Sequence, residues 1–505
     1  MSYGTVFCAD FADYPFMHEA AMDLADQARL IVGGQGRTTR QPTDASLDRY
    51  EYFDWRHYFR LADFEHKLDP TAVVEPERLK AYEPAQHRFL RSLDRVFLVP
   101  EAEAVQERLF YGLVNAFEAW LARAPRPLTV FFAHTPHFPW HLVFHQVCRV
   151  NRIPVYIFRT TQIADAVLLD ADLSVSSQDW VRPVTPIDPT WVMDQAWARS
   201  PRMANSVSIN ERAGRHARKR LGFFRWSAIV WRYFRDRRYL AHRHYHRLGW
   251  RAIVAAARRR HRQRRADLAY LDRHAAQQAP SGRYAYFGLH YQPERTTVPE
   301  AGYFHDQIRA IRILAASLPA GMTLVVKEHP RQLGDRRPSL RRLHAVRTPL
   351  YEAIRRIPNA VLVHAFVNSA TLIGGAKLTA SCTGSAIFEG MQAGIPGLTF
   401  ARTWHSDCPS GPFCADAQSV AATVPQLLAK STDEVRADYQ QFLIDHAPWW
   451  FLGANDDRAV ARSAFTREQL RHSVAEVLRN LTIDDSAEST GVRLARDNTR
   501  SERSA

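Results

Sequence analysis

The sequence reads YAYFGLHYQPE at 284–294, TLVVKEHPRQ at 323–332 and KLTASCTGSAIFEGMQAGIPGLTF at 377–400. Each quoted stretch begins with a short apolar run and continues into polar residues. Runs with the length of buried strands occur at 284–289, 323–326, 360–363, 377–380 and 397–400. Helical patterns separate most of them, and this alternation predicts βαβ units in a parallel sheet. Ligands bind such a sheet at the carboxyl ends of its strands, where the polar residues lie.

Length and composition predict two globular domains. The 505 residues are 46% hydrophobic and 24% charged, which is ordinary for a soluble protein whose domains bury full cores. No continuously apolar run approaches the roughly 20 residues that span a bilayer, and no leader pattern opens the chain. The five cysteines form no CxxC pair, so neither a disulfide framework nor a zinc site is expected. These observations predict a cytoplasmic protein.

Residues 1–200 show a second, less distinct α/β pattern. A strand at 5–9 ends at Asp10, and a stronger one at 128–133 ends at His134 and His137. A helical pattern and a strand at 154–158 complete a βαβ unit. We therefore expect Asp10, His134 and His137 at the rim of a cleft. The spacing of histidines at 137, 141 and 145 fits one helix face, and packing is the preferred interpretation over a metal site because the sequence nominates no further ligand.

Residues 211–265 hold most of the positive charge. This segment has nineteen Lys and Arg against two acidic residues, a net charge of +17 in a chain whose total is +15. Aromatic residues are interleaved with the arginines. The pattern favours binding to an anionic membrane surface, while packing with a solvated basic face and nucleic-acid binding stay open. Nucleic-acid binding is the least favoured of these three, so we expect no nucleic-acid partner.

The predicted domain boundaries follow from these patterns. We expect an N-terminal Rossmann-like domain at 1–200, a basic aromatic helical segment or linker at 201–280, a C-terminal Rossmann-like domain at 281–482, and a disordered tail at 483–505 that is poor in apolar residues. The tryptophan and phenylalanine residues at 449–451 are expected to be buried.

Two strand ends in the second half carry groups that suit a phosphate. The strand at 323–326 runs into Lys327 and His329, and Pro330 stops it. The strand at 377–380 is followed by small and hydroxyl residues that open a helix at 386–392, where unpaired N–H groups favour an anion. These residues are Ser381, Thr383, Gly384 and Ser385. Glu389 follows one turn later and can accept hydrogen bonds from a ribose diol. The order of these groups predicts a nucleotide-sugar site.

Three runs resemble the capsule polysaccharide biosynthesis family, which includes bacterial Kdo transferases. They are His290 to Glu294, Lys327 to Pro330 and Thr383 to Pro396. The resemblance implies the GT-B glycosyltransferase fold, in which two Rossmann-type domains face a cleft; the first binds the acceptor and the second the activated sugar. It also implies peripheral action at the inner face of the inner membrane, on a growing capsular or surface polysaccharide or its lipid acceptor, with no cofactor.

The resemblance further implies residue roles. By similarity to CMP-sugar transferases with an HP motif, His329 would contact the nucleotide phosphate. Ser381, Thr383 or Ser385 would contact the same phosphate. By similarity to the ExxxxGxP signature of GT-B enzymes, Glu389 would bind the ribose. Gln292 and Glu294 are expected in a loop over the nucleotide. A donor of the CMP-Kdo type is the preferred interpretation.

A mechanism without a metal follows from these residues. Lys327, His329 and the helix N-terminus would stabilise the departing phosphate, and a base across the cleft would deprotonate the acceptor. The candidates for the base are Asp10, His134 and Glu294. Two other classes stay open: a glycerol-phosphate or ribitol-phosphate transferase, and a non-catalytic capsule-assembly factor at the membrane.

Overall fold

The structure, a computed structural model, describes residues 4–34, 49–58, 74–93, 103–197, 227, 231, 250–292, 294–334 and 347–483. Two β-sheets organise these residues. All but the first residue of the tail predicted at 483–505, and most of the basic segment at 211–265, lie outside the described residues.

The first sheet has eight strands: β1 (Thr5–Ala9), β2 (Arg29–Gly34), β3 (Tyr50–Asp54), β4 (Leu128–Phe132), β5 (Val155–Thr160), β6 (Ala166–Asp170), β7 (Trp180–Val181) and β13 (Trp450–Leu452). Strands β3-β2-β1-β4-β5 are parallel in that order, and β6 adds antiparallel to β5. In chain order this is the 3-2-1-4-5 arrangement of a Rossmann-type half. Its topological switch point lies between β1 and β4.

The second sheet has five parallel strands: β8 (Tyr284–Gly288), β9 (Thr323–Lys327), β10 (Ala360–Val363), β11 (Leu378–Ser381) and β12 (Gly397–Thr399). Their spatial order is β10-β9-β8-β11-β12, with all four pairings parallel. This is again 3-2-1-4-5, and the switch point lies between β8 and β11. The predicted α/β fold with two Rossmann-type sheets is therefore confirmed.

Helices cover both sheets and connect their strands. Those of the first half are α1 (Pro15–Met22), α2 (Trp55–Tyr58), α3 (Pro76–Leu79), α4 (Glu83–Ser92), α5 (Glu103–Leu121), α6 (Pro139–Val150) and α7 (Pro189–Trp197). Those of the second half are α8 (Trp250–His274), α9 (Gln307–Ser317), α10 (Pro330–Gly334), α11 (Thr348–Arg355), α12 (Ser369–Gly374), α13 (Ala386–Gln392), α14 (Ala417–Ala429), α15 (Thr432–His446), α16 (Asp457–Val460) and α17 (Arg467–Ile483). Among the described helices, none combines the length and the apolar character needed to cross a bilayer.

Burial on both faces explains why the central strands read as apolar runs. All five residues of β1 are buried. Phe7 and Ala9 pack in the core cluster on one face of the sheet, and Val6 and Cys8 pack in the cluster on the other. Successive side chains of a strand point to opposite faces, so a strand covered on both sides needs apolar residues throughout.

The end of the described chain returns to the first sheet. Strand β13 pairs antiparallel with β6, and α17 packs on α1 with Leu470, Val474 and Leu478 fully buried. Of the aromatic cluster expected to be buried at 449–451, Trp450 and Phe451 are fully buried and Trp449 is half-buried. The residues that follow α15 thus build on the N-terminal sheet, although they lie within the range predicted for the C-terminal domain.

Candidate functional site

His290 joins the two strand ends at the switch point of the second sheet. It follows β8, and its Nε2 accepts a hydrogen bond from the Thr383 N–H, just after β11, at 3.0 Å. The Ser381 hydroxyl donates to the Gly288 carbonyl oxygen at 3.0 Å and lies at the same distance from His290 Nε2. Burial lowers the pKa of His290 to about 4, so the ring is neutral near pH 7. The structure therefore brings the predicted Ser381 to Thr383 loop against the end of β8.

A chain of hydrogen bonds continues from His290 to Glu294. Because Nε2 of the neutral ring accepts, Nδ1 carries the proton and donates to the Thr296 hydroxyl, 3.2 Å away. The Thr296 hydroxyl in turn donates to Glu294 Oε2 at 3.2 Å. Burial raises the pKa of Glu294. Glu294 thus lies on the side of the second sheet, in the loop after β8.

Gln292 occupies the same loop. Its backbone N–H donates to Gln332 Oε1 at 2.9 Å, and its own Oε1 accepts from the Thr297 hydroxyl at 3.1 Å. Its amide nitrogen is buried with no protein hydrogen-bond acceptor among the described residues.

Lys327 and His329 occupy the end of β9, next to β8. The Lys327 ammonium donates to the Ser369 hydroxyl at 2.9 Å, and burial lowers its pKa to about 8. His329 is partly exposed, and its Nδ1 accepts from the Arg331 N–H at 3.2 Å. Burial, together with the charges of Lys327 and Arg331, lowers the pKa of His329 to about 3. The neutral ring must then carry its proton on Nε2, which suits donation to a phosphate oxygen.

A buried ion pair that the sequence did not reveal holds this strand end in place. Glu328 is fully buried and accepts from Arg347 Nε at 2.6 Å and from the Tyr351 hydroxyl at 2.9 Å. Its Oε1 also accepts from the His329 N–H at 2.6 Å. Arg347 lies 19 residues after Glu328 in the chain, and no periodicity or spacing in the sequence pointed to this pairing. Removing one partner of such a pair is strongly destabilising, at about 3–5 kcal/mol.

The helix that follows Ser385 begins with tightly packed residues. Helix α13 starts at Ala386, and the Ser385 hydroxyl donates to Glu389 Oε1 at 2.8 Å. Pro330 begins the short helix α10 directly after His329. A Cβ on Gly384 would lie 2.5 Å from Ser381 Oγ, so this turn admits only glycine without rearrangement. The predicted group of Ser381, Thr383, Gly384, Ser385 and Glu389 is thus one continuous turn and helix start.

Asp10 and His134 meet at the switch point of the first sheet. Asp10 follows β1 in a left-handed conformation with φ of 62°, and only 2% of its surface is exposed. Its Oδ1 lies 3.0 Å from His141 Nε2, and its Oδ2 lies 3.8 Å from His134 Nε2. The Tyr14 hydroxyl donates to His134 Nε2 at 2.8 Å, and burial lowers the pKa of His134 to about 4. Sequence reasoning missed Tyr14, because a single half-buried tyrosine in an irregular segment forms no pattern in the sequence.

The two switch points face each other. Thr135, after β4, donates its hydroxyl proton to Glu300 Oε1 of the second half at 2.7 Å. The Arg295 guanidinium is close enough to act on the pKa of Tyr14 and of His134. The predicted site residues therefore form two groups: Asp10 and His134 on one side, and all the others, Glu294 included, on the other.

Comparisons with known proteins give weak likenesses only. No protein-family model matches the chain, and no curated protein matches it. Trehalose 6-phosphate synthase from Burkholderia multivorans is 11% identical, with a TM-score of 0.32, over 95% of this chain and 99% of that one. Anabaena HepE in complex with UDP-glucose is 13% identical, with a TM-score of 0.26, over 95% and 100%. UDP-GlcNAc 2-epimerase from Methanocaldococcus jannaschii is 9% identical, with a TM-score of 0.23, over 85% and 93%. At these TM-scores the likenesses carry no argument about activity or substrate.

Proposed function

We propose that the chain is a glycosyltransferase of the GT-B class that takes its sugar from a nucleotide-sugar donor. One observation supports this most: two 3-2-1-4-5 sheets present their switch points to each other, and the second has a neutral histidine and two hydroxyl residues there. Ligands of such sheets bind at these crevices. A donor in the second crevice and an acceptor in the first would place the reacting atoms between them.

We propose a role for each site residue. The His329 Nε2–H would donate to a donor phosphate oxygen, and Lys327 would supply a fixed positive charge beneath it. The Gln292 amide and the Ser385 to Glu389 turn would hold the rest of the nucleotide. A base must then remove the acceptor proton. Asp10 and His134 lie on the acceptor side, and the raised pKa of Glu294 also suits a base near neutral pH.

The finer assignment rests on the resemblance of the 290–294, 327–330 and 383–396 runs. We propose a donor of the CMP-Kdo type and an acceptor that is a capsular or surface polysaccharide or its lipid. The basic segment at 211–265 would bind an anionic membrane surface. The start of α8 is the main part of this segment that the structure describes. Exposed arginines on this helix include Arg259, Arg262 and Arg265.

The proposal is tested by thermal unfolding of the purified protein with CMP, CDP, UDP and GDP. A ligand that binds the native state at about 100 times its dissociation constant stabilises it by about 2.7 kcal/mol. We expect CMP to raise the melting temperature and His329→Ala to abolish that increase. His472→Ala is the matched control, because this histidine is exposed on the remote helix α17.

Each result has a defined meaning. A second assay measures the release of CMP from CMP-Kdo. If the unaltered protein releases CMP and His329→Ala does not, the full proposal is supported. Stabilisation by UDP or GDP alone would retain the glycosyltransferase and replace the donor. If no nucleotide stabilises the protein, the proposal is wrong, and a non-catalytic assembly factor becomes the better interpretation.

A further inference from the structure

Glu300 reaches from the second half of the molecule into the first. It belongs to the segment 294–305, whose Ala301 and Phe304 are buried in the core of the second sheet. We propose that Glu300 is a positioning residue: its carboxylate fixes Thr135, and the Thr135 carbonyl oxygen sets the tautomer and direction of His134 and His137 across the cleft.

The Glu300 carboxylate belongs to a network of hydrogen bonds and ion pairs. Its Oε1 accepts from the Thr135 hydroxyl at 2.7 Å and lies 3.6 Å from Arg159 Nη1 and 3.4 Å from Arg295 Nε. Arg159 donates to Thr135 Oγ1 at 2.9 Å and to Asp170 Oδ2 at 2.6 Å. The Asp170 side chain is fully buried and that of Arg159 is 7% exposed. Thr135 is thus held from both halves of the molecule.

The backbone of Thr135 acts on two histidines. Its carbonyl oxygen accepts from His137 Nδ1 at 2.9 Å and lies 3.3 Å from His134 Nδ1. A carbonyl oxygen can only accept, so both rings carry a proton on Nδ1 and, when neutral, a lone pair on Nε2. The lone pair of His134 accepts from Tyr14, and the two rings lie 4.7 Å apart. The position of Thr135 therefore determines which ring nitrogens can accept a proton.

The same segment also contacts the nucleotide side. The Thr296 carbonyl oxygen accepts from the Thr383 hydroxyl at 2.8 Å, and the Thr296 hydroxyl bonds to His290. Four residues later, Glu300 holds Thr135. This continuity links the donor loop to the acceptor-side histidines, and only this link rests on the proposed function.

The inference is tested by NMR of the full chain with ¹⁵N-labelled histidine. His134→Gln and His137→Gln variants would identify the two side chains among the 22 histidines. In the unaltered protein we expect both rings to show a protonated Nδ1 and an unprotonated Nε2. Glu300→Gln and Thr135→Val should lose this pattern, because one removes the charge and the other the hydroxyl that fix Thr135.

Two matched variants separate positioning from general damage. Thr135→Ser keeps the hydroxyl and should retain the unaltered histidine signals, and Glu51→Gln removes a carboxylate from an exposed ion pair with Arg29 and should also retain them. If Thr135→Val and Glu300→Gln both leave the His134 and His137 signals unchanged, the inference is wrong. A protein that binds no nucleotide would refute the proposed function instead, and the histidine signals would still decide this inference.

Discussion

Gly384 shows how closely single residues define the turn after β11. The Ser381 hydroxyl cannot move aside without giving up its bond to Gly288, and the same loop is fixed by His290 through the Thr383 N–H. The sequence indicated a small-residue turn here. It could not indicate that Ser381 Oγ would lie 2.5 Å from a methyl group added at Gly384, because that distance depends on how β8 and β11 pair.

We expect Gly384→Ala to weaken nucleotide binding at least about tenfold while lowering stability by about 1–3 kcal/mol, as overpacking does. The methyl group would displace Ser381 and, through it, the hydrogen bonds of His290. Isothermal titration with CMP and urea unfolding would measure the two effects. Gly374→Ala is the control, because no described atom outside its own helix and chain neighbours lies within 4 Å of its added Cβ. Equal CMP affinity in both variants would contradict this account of the turn.

Helix α8 is the element that presents positive charge. Leu268 and Leu271 pack in the core of the second sheet, and Asp267 accepts from the Thr348 hydroxyl at 2.7 Å. These contacts anchor one side of the helix to the domain. Arg259, Arg262 and Arg265 are exposed, so charge reaches solvent on a helix whose position is fixed.

Replacing Arg259, Arg262 and Arg265 together by glutamine should weaken binding to vesicles that contain anionic lipid. Each arginine near such a surface contributes about 1 kcal/mol, so the three together give roughly a hundredfold loss. Co-sedimentation with neutral and anionic vesicles at low and moderate salt would measure it. The control is a triple variant in which Arg312, Arg356 and Arg436 are replaced by glutamine, which removes the same charge from other exposed sites. Equal losses in both triples would favour a nonspecific effect of net charge over a surface on α8.

At the level of elements, the sequence predicted some strands of each sheet, and it missed the apolar strands β2 and β6 as well as strands that are defined by pairing. The predictions at 5–9, 323–326 and 360–363 agree with the structure to within one residue. Strand β3 reads YEYFD and is mostly half-buried at the edge of its sheet, so it has no continuous apolar run. Strand β13 has three residues and forms by pairing with β6, which lies far earlier in the chain. Such long-range pairing leaves no local signal.

The whole molecule buries several neutral histidines, and this makes its stability depend on pH. Burial lowers the pKa of five of them to between about 3 and about 4: His134, His145, His290, His329 and His405. Each ordinarily has a pKa of 6.5, so between these values the unfolded chain binds more protons than the folded one. Asp170 opposes one of them, because burial raises its pKa to about 6 and its folded form therefore takes up a proton first. Burial also raises the pKa of Asp165, Asp267 and Glu294, which act in the same direction.

We therefore expect the free energy of unfolding to fall as the pH drops below about 6.5, by up to about 1.4 kcal/mol per pH unit for each histidine not offset by these carboxyl groups. Urea unfolding at a series of pH values between about 7.5 and 4 would measure the slope. His405 has no hydrogen-bond partner for either ring nitrogen among the described residues, so His405→Leu removes one titrating group without breaking a side-chain hydrogen bond among them. The variant should lose stability less steeply than the unaltered chain over the same range, because one fewer imidazole must take up a proton on unfolding. A slope that is the same in both proteins would show that His405 titrates alike in the folded and unfolded states, and that its burial does not govern its protonation.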